Sequence, residues 1–378
     1  MVQYYLRHYF NPDFDYLNLK PGGDSGSTDV YSLGYVQNVI AGQVLAEILP
    51  LESARPGYDT RVILDQAVFP MGGNTRVDPR YPNYLLASAK GYVFYLNGKI
   101  TVKTLLNVRQ DVSFQTGNIF FVGDMAVHGS VRAGFSVQGN NVRIMGMVEG
   151  GVVRARRDLL VEGGVRGGAG KHSKVDAGDK LMTPFLESVE ARARGNMVIE
   201  KTCLYSTIYA GSNLVVRDKL YGGIVNAYGS VYVGGQLGNK ASLATKVYLG
   251  YDPLSIRQLE KIDKIIAQLS QTITHLNAIA GHLAPETNDA SRKLQAMRLQ
   301  RRQLINRRDE LWNRLAQDES YMQNCRLLCQ GTVHPGVEIS IGRAFMVVDK
   351  IYKCTLFRLV DNEIISEPMQ PAQTSTKR

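Results

Sequence analysis

Four cysteines, six histidines and a single tryptophan are spread over 378 residues. Cys203, Cys325, Cys329 and Cys354 are too few and too scattered for a disulfide framework. Cys325 and Cys329 lie one helical turn apart, but no neighbouring Cys or His completes a metal set. The histidines (8, 128, 172, 275, 282 and 334) are equally dispersed; His275 and His282 are able to share a helix face, with no further ligand beside them. No apolar run approaches the roughly 18 residues of a membrane span. The first ten residues alternate aromatic and basic side chains and lack the apolar segment of a signal peptide. These absences argue against a disulfide-stapled secreted domain, a metal site, a cofactor and membrane insertion. The expectation is a cytoplasmic protein with reduced thiols.

Glycine is plentiful, at 37 residues, and most of it falls where a short phrase repeats. A polar residue followed by an apolar triplet recurs with its anchor at positions 118, 141, 158, 179, 196, 213 and 230, giving spacings of 23, 17, 21, 17, 17 and 17. A period near 17 leaves room for three short strands joined by Gly or Asn corners, which is one coil of a parallel β-helix. Right-handed winding follows from the crossover preference of parallel strands. The first and third residues of each triplet point inward and the middle one outward. The middle residues are Phe120, Arg143, Leu160, Leu181, Val198, Val215 and Tyr232, mostly apolar for an outward face. A stripe of this kind implies contact with another element or another subunit.

The flanks read differently. Residues 1–34 combine Asn11-Pro12, Pro21-Gly22-Gly23 and a Ser/Gly/Thr cluster, the composition of a flexible tail whose Tyr4, Tyr5 and Tyr9 are free to dock on a neighbour. Residues 35–115 carry short apolar runs between prolines and a hairpin around Asn97-Gly98, and form a small all-β domain. The β-helix occupies 116–253. Over 254–328, Leu259, Ile262, Ile266, Leu269, Ile273 and Leu276, then Leu294, Met297, Leu304, Leu311, Leu315 and Met322, mark the seam of an antiparallel coiled-coil hairpin. Arg301 and Arg308 interrupt it. A closing β segment at 329–366 returns to the solenoid idiom, so the hairpin is inserted into the β-helix, and 367–378 form a second flexible tail.

Catalytic signals are weak. The stretch Gly163-Gly164-Val165-Arg166-Gly167-Gly168 lacks the Gly-Lys-Ser/Thr ending of a phosphate loop and reads as a solenoid corner. Asp124, Glu149, Asp158, Glu162, Asp176 and Asp179 are scattered, and Asp158 and Asp179 occupy the corner position used elsewhere by Asn118, Asn196 and Asn213. No catalytic residue is assigned. The net charge is +10, and basic residues are concentrated in the second helix, where residues 292–314 carry eight basic and two acidic side chains. Arg298, Arg301, Arg302 and Arg308, with Val198, Val215 and Tyr232, are the candidate interaction surface. Nucleic acid is the lesser option for the arginines, since Trp312 alone is there to stack a base.

Several phrases, in order, resemble the flagellar assembly protein A family: Gly42-Gln43-Val44-Leu45-Ala46-Glu47, Thr116-Gly117-Asn118-Ile119, Val148-Glu149-Gly150-Gly151, Val161-Glu162-Gly163-Gly164 and Val247-Tyr248-Leu249-Gly250-Tyr251-Asp252-Pro253. The resemblance covers about residues 36–360. It implies a cytoplasmic bacterial β-helix protein without a catalytic motif, acting through protein contacts in placing or regulating the polar flagellum. Members of that family carry more chain before the Gly42-Gln43 segment, so this N-terminus is read as shortened. The reading is a non-enzymatic scaffold with a protein partner or a second copy. A self-assembling solenoid like the bactofilins and a carbohydrate-active β-helix stand as alternatives.

Overall fold

The computed structural model describes residues 3–14, 31, 34–53, 60–168, 172–280, 288–315 and 322–369. The Pro21 and Ser25-Gly26-Ser27-Thr28 part of the first tail, residues 281–287 between the two runs of the hairpin seam, and residues 370–378 lie outside them. The chain is mainly β, with a solenoid of about eight turns, small N-terminal sheets and a helical hairpin. It divides into two units, residues 1–193 and 194–378.

In the first unit, Tyr4–His8 belongs to a five-stranded sheet, antiparallel to Val44–Pro50 with Leu6 opposite Ile48. The described start of the segment read as a flexible tail is therefore a strand. Its sequence, Tyr-Tyr-Leu-Arg-His, buries only Leu6 fully and shows no alternation to betray it. A three-stranded sheet contains Asn38–Val39, Gly91–Leu96 and Lys99–Lys103. Its hairpin turns at Asn97 and Gly98, both at positive φ (51° and 74°), as a two-residue type I′ turn requires. Leu6, Leu45, Ile48, Leu85, Val93, Ile100 and Val102 share the core between these sheets.

The solenoid begins at Leu105–Val108, which pairs in parallel with Asp124–Val127, earlier than the repeat at 116 suggested. Three inward columns run through the first unit. Leu106, Met125, Val142, Leu159 and Leu181 make one. Val112, Val131, Val148, Val165 and Leu186 make the second. Ile119, Val137, Val153, Val175 and Ala191 make the third. Every one of these side chains is at most 2% exposed.

This register corrects two positions of the sequence repeat. Ile119-Phe120-Phe121 stands on a different face from Val142-Arg143-Ile144, whose partner is Met125-Ala126-Val127. The irregular spacing of 23 arose from matching phrases on two faces. All three faces carry apolar-x-apolar triplets, so periodicity alone cannot tell them apart. Leu181 is the partner of Leu159 and is 1% exposed; Met182, not Leu181, faces outward. The anchor there is Lys180, because a longer corner shifts the coil by one residue.

The second unit repeats the pattern with Met197, Leu214, Val231 and Leu327 in one column, and Ile208, Val225, Val247 and Ile339 in another. Between the strands Thr245–Leu249 and Arg326–Val333 come α1 (Pro253–Ala280) and α2 (Asn288–Leu315). Asp252 caps α1, its carboxylate accepting the backbone N–H of Ser255 (3.0 Å), with Pro253 at the first helical position. Leu259 and Ile262 pack with Leu311 and Leu315, which joins the start of α1 to the end of α2 and makes the hairpin antiparallel. At 28 residues each, the helices extend about 42 Å. Antiparallel strands Ala344–Val347, Tyr352–Val360 and Glu363–Pro368 finish the unit, with Phe357 fully buried opposite Leu327. No described helix is long and apolar enough to cross a membrane.

Candidate interaction surfaces

The polar anchor of the repeat is a rung between coils. Asn118 Oδ1 accepts the Ser136 N–H (2.7 Å), Asp124 Oδ1 that of Asn141 (3.1 Å), and Asp158 Oδ1 that of Lys180 (3.3 Å). In the second unit, Asn196 Oδ1 accepts the Asn213 N–H (3.2 Å) and Asn213 Oδ1 that of Ser230 (2.8 Å). Each rung satisfies a backbone donor at a corner, where strand pairing stops. Burial pushes the Asp124 carboxyl upward, but donors from Asn140 and Asn141 outweigh it and hold the group below its ordinary value. Glu149, Glu162 and Asp176 pair with Arg132, Arg143 and Arg192. These carboxylates bind the coils to one another. Burial also pushes the Cys203 thiol up to about 12, and those of Cys325 and Cys329 to about 11, so none is a ready nucleophile at neutral pH. Among the described residues, no group of three or more His, Cys, Asp and Glu side chains is placed to hold a metal ion.

On the outward wall of the second unit, Val198, Val215 and Tyr232 stand in register, followed by Leu328. All four are half-buried. The Tyr232 hydroxyl donates to Gln330 Oε1 (2.6 Å). In the first unit the equivalent row is Arg143, Leu160 and Met182, broken by the Arg143 ion pair.

Three of the four candidate arginines converge. Arg298, Arg301 and Arg302 line a groove of about 460 Å³ between α1 and α2, together with Ile273, Thr274, Asn277 and Ile305. Arg298 Nη2 donates to Asn277 Oδ1 (3.0 Å). Arg301, a seam interruption, is half-buried there, while Arg302 is exposed. Among the described residues, no carboxylate lines the groove. Arg308 is not part of it: its guanidinium turns to Asp309 (2.9 Å).

At the other end of the hairpin is a pocket of about 370 Å³, which the sequence did not reveal. Ile224, Asn226, Tyr248, Ser340 and Gly342 line it from the sheet side, Tyr251 from the junction, and Ile256, Glu260 and Trp312 from the helices. Asn226, Tyr248 and Ser340 are register partners on adjoining strands. Glu260 accepts a hydrogen bond from the Tyr209 hydroxyl (2.7 Å), fixing α1 to the wall. The sequence signal was present only as outward polar and aromatic residues at 209, 226 and 248.

Comparison with protein families matches residues 104–364, more than half of the chain, to the flagellar assembly protein A β-solenoid domain. The chain belongs to this family. Searches of curated proteins and of solved structures find no match. The matched span opens at the first solenoid strand and closes inside Glu363–Pro368, so the flagellar assembly protein A domain here includes the hairpin and the antiparallel closing strands. The two N-terminal sheets precede it.

Proposed function

We propose that this protein is a non-catalytic scaffold or regulator that works through protein contacts in the cytoplasm, in flagellar assembly or placement as the family name indicates. The hairpin is the partner arm, and its arginine groove takes an acidic protein segment. The observation that carries this reading is the convergence of Arg298, Arg301 and Arg302 on one groove, with no carboxylate in its lining among the described residues. Like charges held together without counter-charges are unfavourable until an anionic partner arrives, and planar guanidinium groups suit carboxylates. The four free cysteines support a reducing compartment.

Affinity capture with the full chain, compared with the triple variant R298E/R301E/R302E, tests the proposal. The expected outcome is an acid-rich partner that the triple variant loses by at least about 100-fold, and that salt displaces from the parent chain. Substitution at Arg292, exposed and outside the groove lining, should leave capture intact. The same partners retained by the triple variant would refute the arm's role. A second reading, self-association through the Val198, Val215, Tyr232 and Leu328 row, rests on that row's apolar outward face.

A further inference from the structure

Asn226 is 4% exposed, and its side-chain Nδ2 is buried without a hydrogen-bond partner among the described residues. A buried amide donor left unpaired is costly and rare, so its position calls for a reason. It stands in the lining of the pocket at the root of the hairpin. At about 370 Å³ this pocket falls at the small end of the range for small-molecule sites, roughly 300–1,000 Å³. Its walls combine three aromatic rings, Tyr248, Tyr251 and Trp312, with three polar groups of different capability. The Asn226 amide nitrogen only donates, the Glu260 carboxylate at the exposed rim only accepts, and the Ser340 hydroxyl does both.

Three ligand chemistries meet these walls unequally. A cation satisfies the rings and Glu260 but turns its charge toward the positive end of the Asn226 N–H dipole and leaves that donor unpaired. A flat heterocycle sandwiched between two rings needs parallel faces, whereas the Tyr251 and Trp312 rings stand at 90° with centroids 6.4 Å apart, so it stacks on one of them at most. A saturated ring bearing hydroxyls fits: its C–H faces rest in the perpendicular aromatic corner, and its hydroxyls accept from Asn226 and donate to Glu260. We propose that the pocket binds a neutral cyclic polyol, either a free monosaccharide or the terminal unit of a glycan, between the solenoid wall and the root of the arm. Burial raises the Tyr251 hydroxyl above the ordinary phenol range, opposed by nearby Arg343, so this ring presents a neutral wall.

Trp312 is the sole tryptophan of the chain, which makes tryptophan emission a reporter of this pocket. The full chain is titrated with glucose and N-acetylglucosamine as free sugars and with chitobiose as a glycan end, to about 50 mM. Adenosine and tetramethylammonium are the contrasting probes. The expected result is a saturable emission change with at least one sugar, weakened at least about tenfold in Asn226→Val while the unfolding midpoint of that variant holds or rises. Free sugar and chitobiose are separated by which of them saturates at lower concentration. Saturation-transfer NMR on the bound sugar, abolished in Trp312→Leu, gives a second readout on an exposed position. Saturation by adenosine or tetramethylammonium alone, or no saturable change with any probe, overturns the proposal. So does a lowered midpoint in Asn226→Val, which would show the amide already satisfied by resident water.

Discussion

Neighbouring residues in one strand should differ sharply in what they contribute to stability, and the pair Leu214 and Val215 tests this. Leu214 is 0% exposed in the inward column between Met197 and Val231; Val215 is half-buried on the outer wall. Leu214→Ala removes a fully buried side chain from a column that cannot collapse without shifting two coils, a cost of about 2–5 kcal/mol. Val215→Ala removes about two methylene equivalents at ~0.8 kcal/mol each, of which roughly half is already hydrated, giving about 1 kcal/mol. For a unit of this size, about 2–4 °C per kcal/mol applies, so the expected shifts are on the order of 10 °C and 3 °C. Circular dichroism melts of the two variants, at low and high protein concentration, measure both. Equal losses would refute the assignment of inward and outward faces. A Val215→Ala loss that grows with concentration would show that a second copy covers the wall.

Two further substitutions probe the corners. A Cβ at Gly211 would overlap the carbonyl oxygen of Arg194, and this glycine is not at positive φ, so close approach of the chain is what demands it. Gly211→Ala should therefore destabilise by about 1–3 kcal/mol in urea unfolding, against the gain of ~0.4–1 kcal/mol that reduced unfolded-state entropy brings at an unhindered site; a gain would show that the coils are free to separate. Asp111 accepts the Ser130 N–H (2.7 Å), which outweighs burial and, with Arg132, holds its carboxyl below the ordinary value. A depressed folded value means that its contribution is complete above about pH 3.9 and is lost as the pH falls through that lower value. Asp111→Asn should flatten the fall in melting temperature as the pH drops below about 4, and an unchanged slope there would remove Asp111 from the acid response.

The solenoid was legible because its requirements are local. An apolar-x-apolar triplet after an Asn or Asp rung satisfies the column and the corner at once, and Asn196, Asn213 and Ser230 repeat it every 17 residues. The hairpin was legible for the same reason: Leu259, Ile262 and Ile273 fall on one seam and are buried there. Register was not legible, since Ile119-Phe120-Phe121 and Met125-Ala126-Val127 obey the same rule on different faces. The arginine groove was visible as a charge run, yet only the helix pairing separates Arg298, Arg301 and Arg302 from Arg308. Nothing in the sequence could bring residues 226, 248, 251, 312 and 340 together, because their proximity depends on stacking across coils interrupted by some 75 residues of arm.

Ion pairs between adjacent coils neutralise part of the charge on the solenoid walls. Arg132 with Asp111, Arg143 with Glu162, Arg166 with Glu187 and Lys174 with Glu190 join residues of adjacent coils in the first unit. Arg217 with Glu200 and Lys246 with Glu338 do so in the second. Parallel stacking places outward residues of successive coils side by side at strand spacing, where like charges repel and opposite charges attract. On a solenoid wall, opposite charges in register therefore replace a repulsion with an attraction. A long two-helix arm has no such neighbour on its outer surface. Residues 292–314, with eight basic and two acidic side chains, lie on the arm and outside these ladders.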